Sequence, residues 1–207
     1  MPFGKKWYDL NMLPFVFTNE FAGGLSLGAY VLWMGVEYWL VVRDQGQVHD
    51  RQDQGSKRVL ILACWIAFML CVALSILVRS AQLEMDPWIP IGVGVICILL
   101  GLWLRVWAVR TLGRFFRRTV MVQGAHRVVQ EGPYRFIRHP SYTGFLLSGI
   151  GIGLIFGNWL GLVVLFMIVF LAFLQRIAVE EGVMLRELGE PYQSYMKHTK
   201  RLVPFLY

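Results

Sequence analysis

The stretch YTGFLLSGIGIGLIFGNWLGLVVLFMIVFLAFL, residues 142–174, decides the fold. It contains no Asp, Glu, Lys or Arg. A hydrocarbon core about 30 Å thick needs about 20 mostly apolar residues of helix, so the stretch is too long for one span. Near its middle, Gly157-Asn158-Trp159 is a turn signal that folds it into a tight helical hairpin. Working outward, residues 21–42, 59–78 and 88–109 are further blocks long enough to cross a membrane. The expected fold is therefore all-α: a polytopic membrane helical bundle of about five transmembrane helices, with the hairpin as spans four and five and helices after it.

Composition agrees. Of 207 residues, 57% are apolar and only 16% charged, too few charges to cover a soluble domain of this length. Residues 21–42 are too long for the core of a secretory signal, and no small-residue cleavage site follows them. The lead before them, with Lys5 and Lys6, is expected along the interface.

Lys and Arg set the orientation. The loop after span one holds Arg43, Arg51, Lys57 and Arg58, whereas the loop after span two holds Arg79 beside Glu84 and Asp86. After span three come Arg105, Arg110, Arg114, Arg117, Arg118, Arg127, Arg135 and Arg138, the hairpin turn has none, and the tail carries Arg176, Arg186, Lys197, Lys200 and Arg201. This places the N-terminus and the hairpin turn outside, and the Arg-rich segment and tail in the cytoplasm; Lys5 and Lys6 dissent. The net charge of +7 is then explained by basic loops against anionic lipid, with no nucleic-acid partner. Cys64, Cys71 and Cys97 lie within spans without metal or redox spacing and read as small apolar residues; no metal site is expected.

Two polar clusters stand out. The run Gln123-Gly124-Ala125-His126-Arg127-Val128-Val129-Gln130-Glu131-Gly132-Pro133-Tyr134 leads into Arg138-His139-Pro140, where a hydrophobic helix begins. Pro140 suits the first turn of that helix and pushes His139 away from the α region. Arg138 at a helix N-terminus is a ready anion site, or, more blandly, a headgroup anchor. At the far end of the hairpin, Arg176 and Glu180 share a helix face at i and i+4, followed by Glu181. The turn returns this end to the side of His139, making the clusters neighbours; paired ionisable groups there suggest a site, or an interfacial salt bridge ending the helix. Beyond, residues 185–195 read as a short amphipathic helix, a break at Gly189 and a second helix with Tyr192 and Tyr195, pieces able to fold over a pocket as a lid.

From Leu112 to Pro204 the sequence resembles the isoprenylcysteine carboxyl methyltransferase family and its phospholipid-methylating relatives. The matching elements are His126-Arg127-Val128-Val129, Gly132-Pro133-Tyr134, Arg138-His139-Pro140-Ser141-Tyr142-Thr143-Gly144, Arg176 with Glu180-Glu181, Leu188-Gly189-Glu190-Pro191-Tyr192, Tyr195, and Arg201-Leu202-Val203-Pro204, in the family's order and spacing. The resemblance implies an enzyme that transfers a methyl group from S-adenosylmethionine at the cytoplasmic membrane face, leaving S-adenosylhomocysteine. It implies that His126, Val128, Val129, Gly132, Tyr134, Arg138, His139, Pro140, Tyr142, Glu180 and Glu181 line the cofactor site, and that Arg176, Glu180 and His139 serve the chemistry next to the acceptor. Residues 1–110 would then be the transmembrane scaffold on the acceptor side, and 111–207 the cofactor-binding region.

The residue types suit that chemistry. A sulfonium cation, a carboxylate, an amine and an adenine need acidic, basic and aromatic walls together, which Glu180 or Glu181, Arg138 or Arg176, and Tyr134 or Tyr142 supply. Methyl transfer is mainly alignment and exclusion of water. A carboxylate acceptor needs no base and could be held by Arg176; an amine or hydroxyl would need one, from Glu180, His139 or His126. The compact chain resembles short microbial members, which favours a small lipophilic acceptor over a prenylated protein, in a microbial cell membrane. A scaffold of the same fold without catalysis, and a transporter subunit, are the alternatives; intact site residues oppose the first, and the lack of an inverted repeat the second.

Gly149-Ile150-Gly151-Ile152-Gly153 mimics a dinucleotide fingerprint, but it lies within a span, lacks the third glycine and follows no strand. Gly149, Gly153, Gly157 and Gly161 instead form a small-residue packing stripe, a pattern that Gly24 and Gly28 repeat. Glu37 within span one is expected to pair with Arg105 or Arg110, or to contact the acceptor.

Overall fold

The computed structural model describes residues 13–43, 56–113 and 128–203. Its helices are α1 (Phe15–Thr18), α2 (Glu20–Arg43), α3 (Ser56–Leu77), α4 (Trp88–Leu112), α5 (Pro140–Ile155), α6 (Trp159–Leu188) and α7 (Glu190–His198), with 3-10 turns at Arg79–Ala81 and Gly132–Arg135. Helices thus stand at all five expected span positions. Arg58–Leu77, Trp88–Leu112 and Trp159–Leu188 are long and apolar enough to cross a membrane. α5 is a shorter apolar helix of 16 residues. α2, 24 residues long, also has the length to cross. At about 1.5 Å per residue, α6 is about 45 Å long, more than a hydrocarbon core requires.

The hairpin turn forms where expected. Gly157 takes a positive φ of 64°, which suits glycine. Asn158, fully buried, caps α6 by accepting from the Gly161 N–H at 2.8 Å. Its amide also donates to the carbonyls of Leu74 (3.3 Å) and Val78 (2.9 Å), which fastens the turn to the end of α3.

α4 and α5 pack with backbones almost touching. A methyl group added to Gly94 would lie 2.6 Å from the Gly151 carbonyl oxygen, and one added to Gly144 would lie 2.6 Å from that of Gly101. The closest approach therefore uses Gly144 and Gly151 against Gly94 and Gly101, none of which belongs to the expected stripe. Within that stripe, Gly153 meets Leu162 across the hairpin, Gly161 meets the Cys71 carbonyl of α3, and Gly149 makes only ordinary contact with Leu165. Gly24 and Gly28 have open space around them, so the supposed repeat in α2 packs against nothing among the described residues. α3 and α6 close a second core of Ala67, Cys71, Leu165, Val169, Phe173 and Ile177. Cys71 is fully buried there, as a small apolar residue.

The expected short helix before Gly189 does not stand apart. α6 continues through Leu188 without a break, because residues 176–188 carry mostly helix-forming side chains and bury Ile177, Glu181 and Val183. Gly189, at φ 59°, then turns the chain directly into α7. Tyr192 and Tyr195 form the buried face of α7, and the Tyr195 hydroxyl donates to the Tyr134 carbonyl at 2.7 Å. The chain after α7 runs beside residues 137–139: Arg138 N–H donates to the Lys200 carbonyl (2.7 Å) and His139 N–H to that of Arg201 (3.0 Å).

Candidate functional site

Pro140 occupies the first turn of α5, and His139 before it is non-helical at φ −123°, ψ 56°. Its carbonyl still receives the N–H groups of Tyr142 (3.0 Å) and Thr143 (3.1 Å). This geometry aims the imidazole across the open end of the hairpin. There it stacks on Tyr142 (centroids 5.5 Å apart, planes at 3°), and Tyr142 packs on Phe173 of α6 at 4.5 Å. The two polar clusters of the sequence do meet.

Consecutive residues on α6 then divide two roles. Glu181, with a side chain only 4% exposed, is saturated: Arg138 Nε donates to Oε1 at 2.8 Å and Arg201 Nε to Oε2 at 2.9 Å, with His139 Nε2 3.4 Å from Oε1. Glu180, 27% exposed, receives the Tyr142 hydroxyl (2.5 Å) and Arg176 Nε (2.8 Å), both on Oε1. Its Oε2 faces His139 Nδ1 at 3.8 Å, beyond hydrogen-bond reach. The sequence offered the two carboxylates as equivalents. The fold makes Glu181 an internal tie and leaves Glu180 open.

Arg138 was expected as an anion clamp. Instead its guanidinium is committed internally: besides Glu181, it donates to the carbonyls of Met196 and Thr199 at the end of α7. Such end carbonyls have no partner within their own helix, and a cation satisfies them well. Arg138, Glu181 and Arg201 thus tie α5, α6 and the tail together, and Thr143 adds a bond to the Leu202 carbonyl at 2.7 Å. Arg201 belonged to a recognised motif, but only its contact with Glu181 reveals what it does.

Among the other expected residues, Tyr134 is buried beneath α7, and burial pushes its phenol well above the usual range. Gly132 has φ 55° and lies against Thr111 of α4, so it is required for packing. Pro140 is buried, whereas Val128 and Val129 are half-buried on the approach to the 3-10 turn. His126 lies outside the described residues.

A residue without an expected site role bridges to the N-terminal helices. Arg105 of α4 donates to Glu37 Oε2 of α2 at 2.7 Å and to the Ser141 carbonyl at 2.9 Å, and lies 5.2 Å over the Phe145 ring. The expected pairing of Glu37 is found. Chemically, an open carboxylate beside stacked rings suits a cationic or amine-bearing ligand, with Arg176 near it for an anion.

Residues 94–186 match the profile of the Isoprenylcysteine carboxyl methyltransferase (ICMT) family. Protein-S-isoprenylcysteine O-methyltransferase A of Arabidopsis thaliana is 31% identical over 67% of this chain and 74% of its own length. The Protein-S-isoprenylcysteine O-methyltransferase of Schizosaccharomyces pombe is 27% identical over 95% of this chain and 79% of its own. The solved structure of a eukaryotic intramembrane Ras methyltransferase, ICMT, superposes with a TM-score of 0.55 at 23% identity, over 87% of this chain and 68% of that one, and so shares the fold. The chain is an integral membrane methyltransferase and belongs to the isoprenylcysteine carboxyl methyltransferase family.

Proposed function

We propose that this protein transfers the methyl group of S-adenosylmethionine to the carboxylate of an S-prenylcysteine-type lipophilic acid at the cytoplasmic face of the membrane. The observation that carries the reading is the open carboxylate of Glu180, held beside the stacked rings of Tyr142 and His139 at the end of the hairpin. The relatives named above act on S-isoprenylcysteine, which narrows the acceptor from lipophilic molecules in general to a thioether acid.

The residues fit the methyl donor. Its cationic and amine groups find an acidic oxygen in Glu180 Oε2 and ring faces in Tyr142 and His139. S-adenosylmethionine supplies a methyl carbon already activated by the positive sulfur, so no protein nucleophile is required. Tyr142 and Arg176 fix the Glu180 carboxylate from one side and leave its other oxygen directed at the site. Arg176 is the cation beside which an acceptor carboxylate would lie. An ionised carboxylate needs no base, so His139 is a positioning group, stacked on Tyr142. Phe145 and Phe173 exclude water from the membrane side. The basic segments flanking this end support its placement at the cytoplasmic face.

The test incubates purified protein with S-adenosylmethionine labelled in its methyl group and N-acetyl-S-farnesylcysteine, then treats the product with alkali. Label released as methanol is the expected result, because esters hydrolyse. Label that stays in the product would mean methylation on nitrogen or sulfur, and absence of transfer would refute the acceptor class.

A further inference from the structure

At the end of the bundle that carries this site, the last turn of α7 and the chain after it form a cleft of about 300 Å³, open to the surface. Arg138, Lys197, His198, Lys200 and Arg201 are five of its seven lining residues, and no carboxylate is among them. The backbone that presents these cations is held firmly. Arg138 donates to the carbonyls of Met196 and Thr199, its N–H donates to that of Lys200 at 2.7 Å, and the Thr199 hydroxyl donates to the Tyr195 carbonyl at 2.7 Å. Lys197, His198 and Lys200 are exposed, whereas Arg138 and Arg201 line the cleft while also bonding to Glu181.

Cations gathered in one cleft repel one another, and an anion that enters relieves them. Glu181 answers only the two arginines; Lys197 and Lys200 have no ion-pair partner among the described residues. Ammonium groups are compact charges that bind phosphate oxygens well. The surroundings indicate where the phosphate comes from. Phe136, beside the Ile137 that pairs with Lys200, is 52% exposed, and Val203, just after Arg201, is 43% exposed. Apolar side chains next to a basic patch mark a surface lying at the boundary of headgroups and acyl chains, and a soluble phosphate has no use for them. We infer that the cleft takes the phosphate of an anionic phospholipid headgroup, with Lys197 and Lys200 on its oxygens and Phe136 and Val203 against the lipid beside it. The bound phosphate continues an alternation of charge, next to Arg138 and Arg201 on either side of Glu181, and so steadies the joint of α5, α6 and the tail. This holds whatever the methyl acceptor is.

The test titrates the full chain in a neutral detergent with short-chain phosphatidylglycerol, with zwitterionic short-chain phosphatidylcholine and inorganic phosphate in parallel, and follows the thermal midpoint, which a ligand of the folded state raises. Phosphatidylglycerol should give a saturable rise, and the other two little at the same concentrations. A basic residue near anionic lipid contributes about 5-fold in affinity, so the double variant Lys197→Gln, Lys200→Gln should need about 30-fold more lipid. Both side chains are exposed and the Lys200 carbonyl that receives Arg138 is kept, so its midpoint without lipid should match wild type. Arg110→Gln with Arg186→Gln removes the same charge from exposed positions outside the cleft and should respond as wild type does. An equal response to phosphatidylcholine, an equal loss in the two double variants, or no rise with any lipid overturns the cleft as a headgroup site. A rise with inorganic phosphate as strong as with phosphatidylglycerol overturns the lipid as its source.

Discussion

The Tyr142 hydroxyl donates to Glu180 Oε1 across the hairpin, 38 residues away in sequence. It ties the first turn of α5 to the far end of α6, and the same oxygen receives Arg176 from one turn earlier on α6. One carboxylate oxygen is therefore spent on positioning, and the other remains available to a ligand.

Tyr142→Phe keeps the ring stacked on His139 and Phe173 but releases that oxygen. Hydrogen bonds to charged groups contribute about 1.5–3 kcal/mol, so affinity for S-adenosylhomocysteine should fall about 10-fold or more. A titration of the variant checks this; unchanged affinity would place the ligand elsewhere.

Glu181 should behave differently from its neighbour. Glu181→Gln weakens a buried pair with Arg138 and Arg201, and breaking such pairs costs about 3 kcal/mol or more. The thermal midpoint in detergent should drop and proteolysis after α7 should accelerate, whereas Glu180→Gln should lower activity with little effect on either measurement.

Glycine positions separate cleanly. Gly101→Ala forces a methyl group into the Gly144 backbone and should cost about 1–3 kcal/mol, read as a lowered thermal midpoint. Gly24→Ala and Gly28→Ala meet nothing among the described residues and should stay within about 0.5 kcal/mol of wild type.

This contrast shows where sequence reading stops. A glycine repeat advertises close packing, but only the rotation of each helix decides which glycines face a neighbour; Gly144 and Gly151 do, and Gly24 does not. The hairpin was legible because Gly157-Asn158 combines a positive-φ residue with a helix cap in an otherwise uncharged run. The meeting of His139 with Glu180 followed from the antiparallel return of the chain. The separate duties of Glu180 and Glu181 did not, since adjacent helical residues point about 100° apart and their partners come from the distant Tyr142, Arg138 and Arg201. Glu37 was conspicuous by its charge; its unpaired oxygen, and the unpaired N–H of the neighbouring Trp33 indole, became visible only in three dimensions.

Burial pushes the Tyr195 phenol up from 10 to about 12. The folded state thus favours the neutral hydroxyl that donates to the Tyr134 carbonyl. Because the folded value is raised, this contribution is complete below pH 10 and is lost as pH rises through about 12. An alkaline titration followed by phenolate absorbance should show docking of α7 holding to about pH 10 and failing above it; Tyr195→Phe should weaken docking at neutral pH as well.

The most direct measurement is a calorimetric titration of the detergent-purified protein with S-adenosylhomocysteine, wild type beside a monodisperse Glu180→Ala variant. Saturable binding by wild type that the variant loses is the expected result. Wild type that is folded and takes no ligand, or a variant that binds as tightly, would contradict the placement of the methyl donor at Glu180.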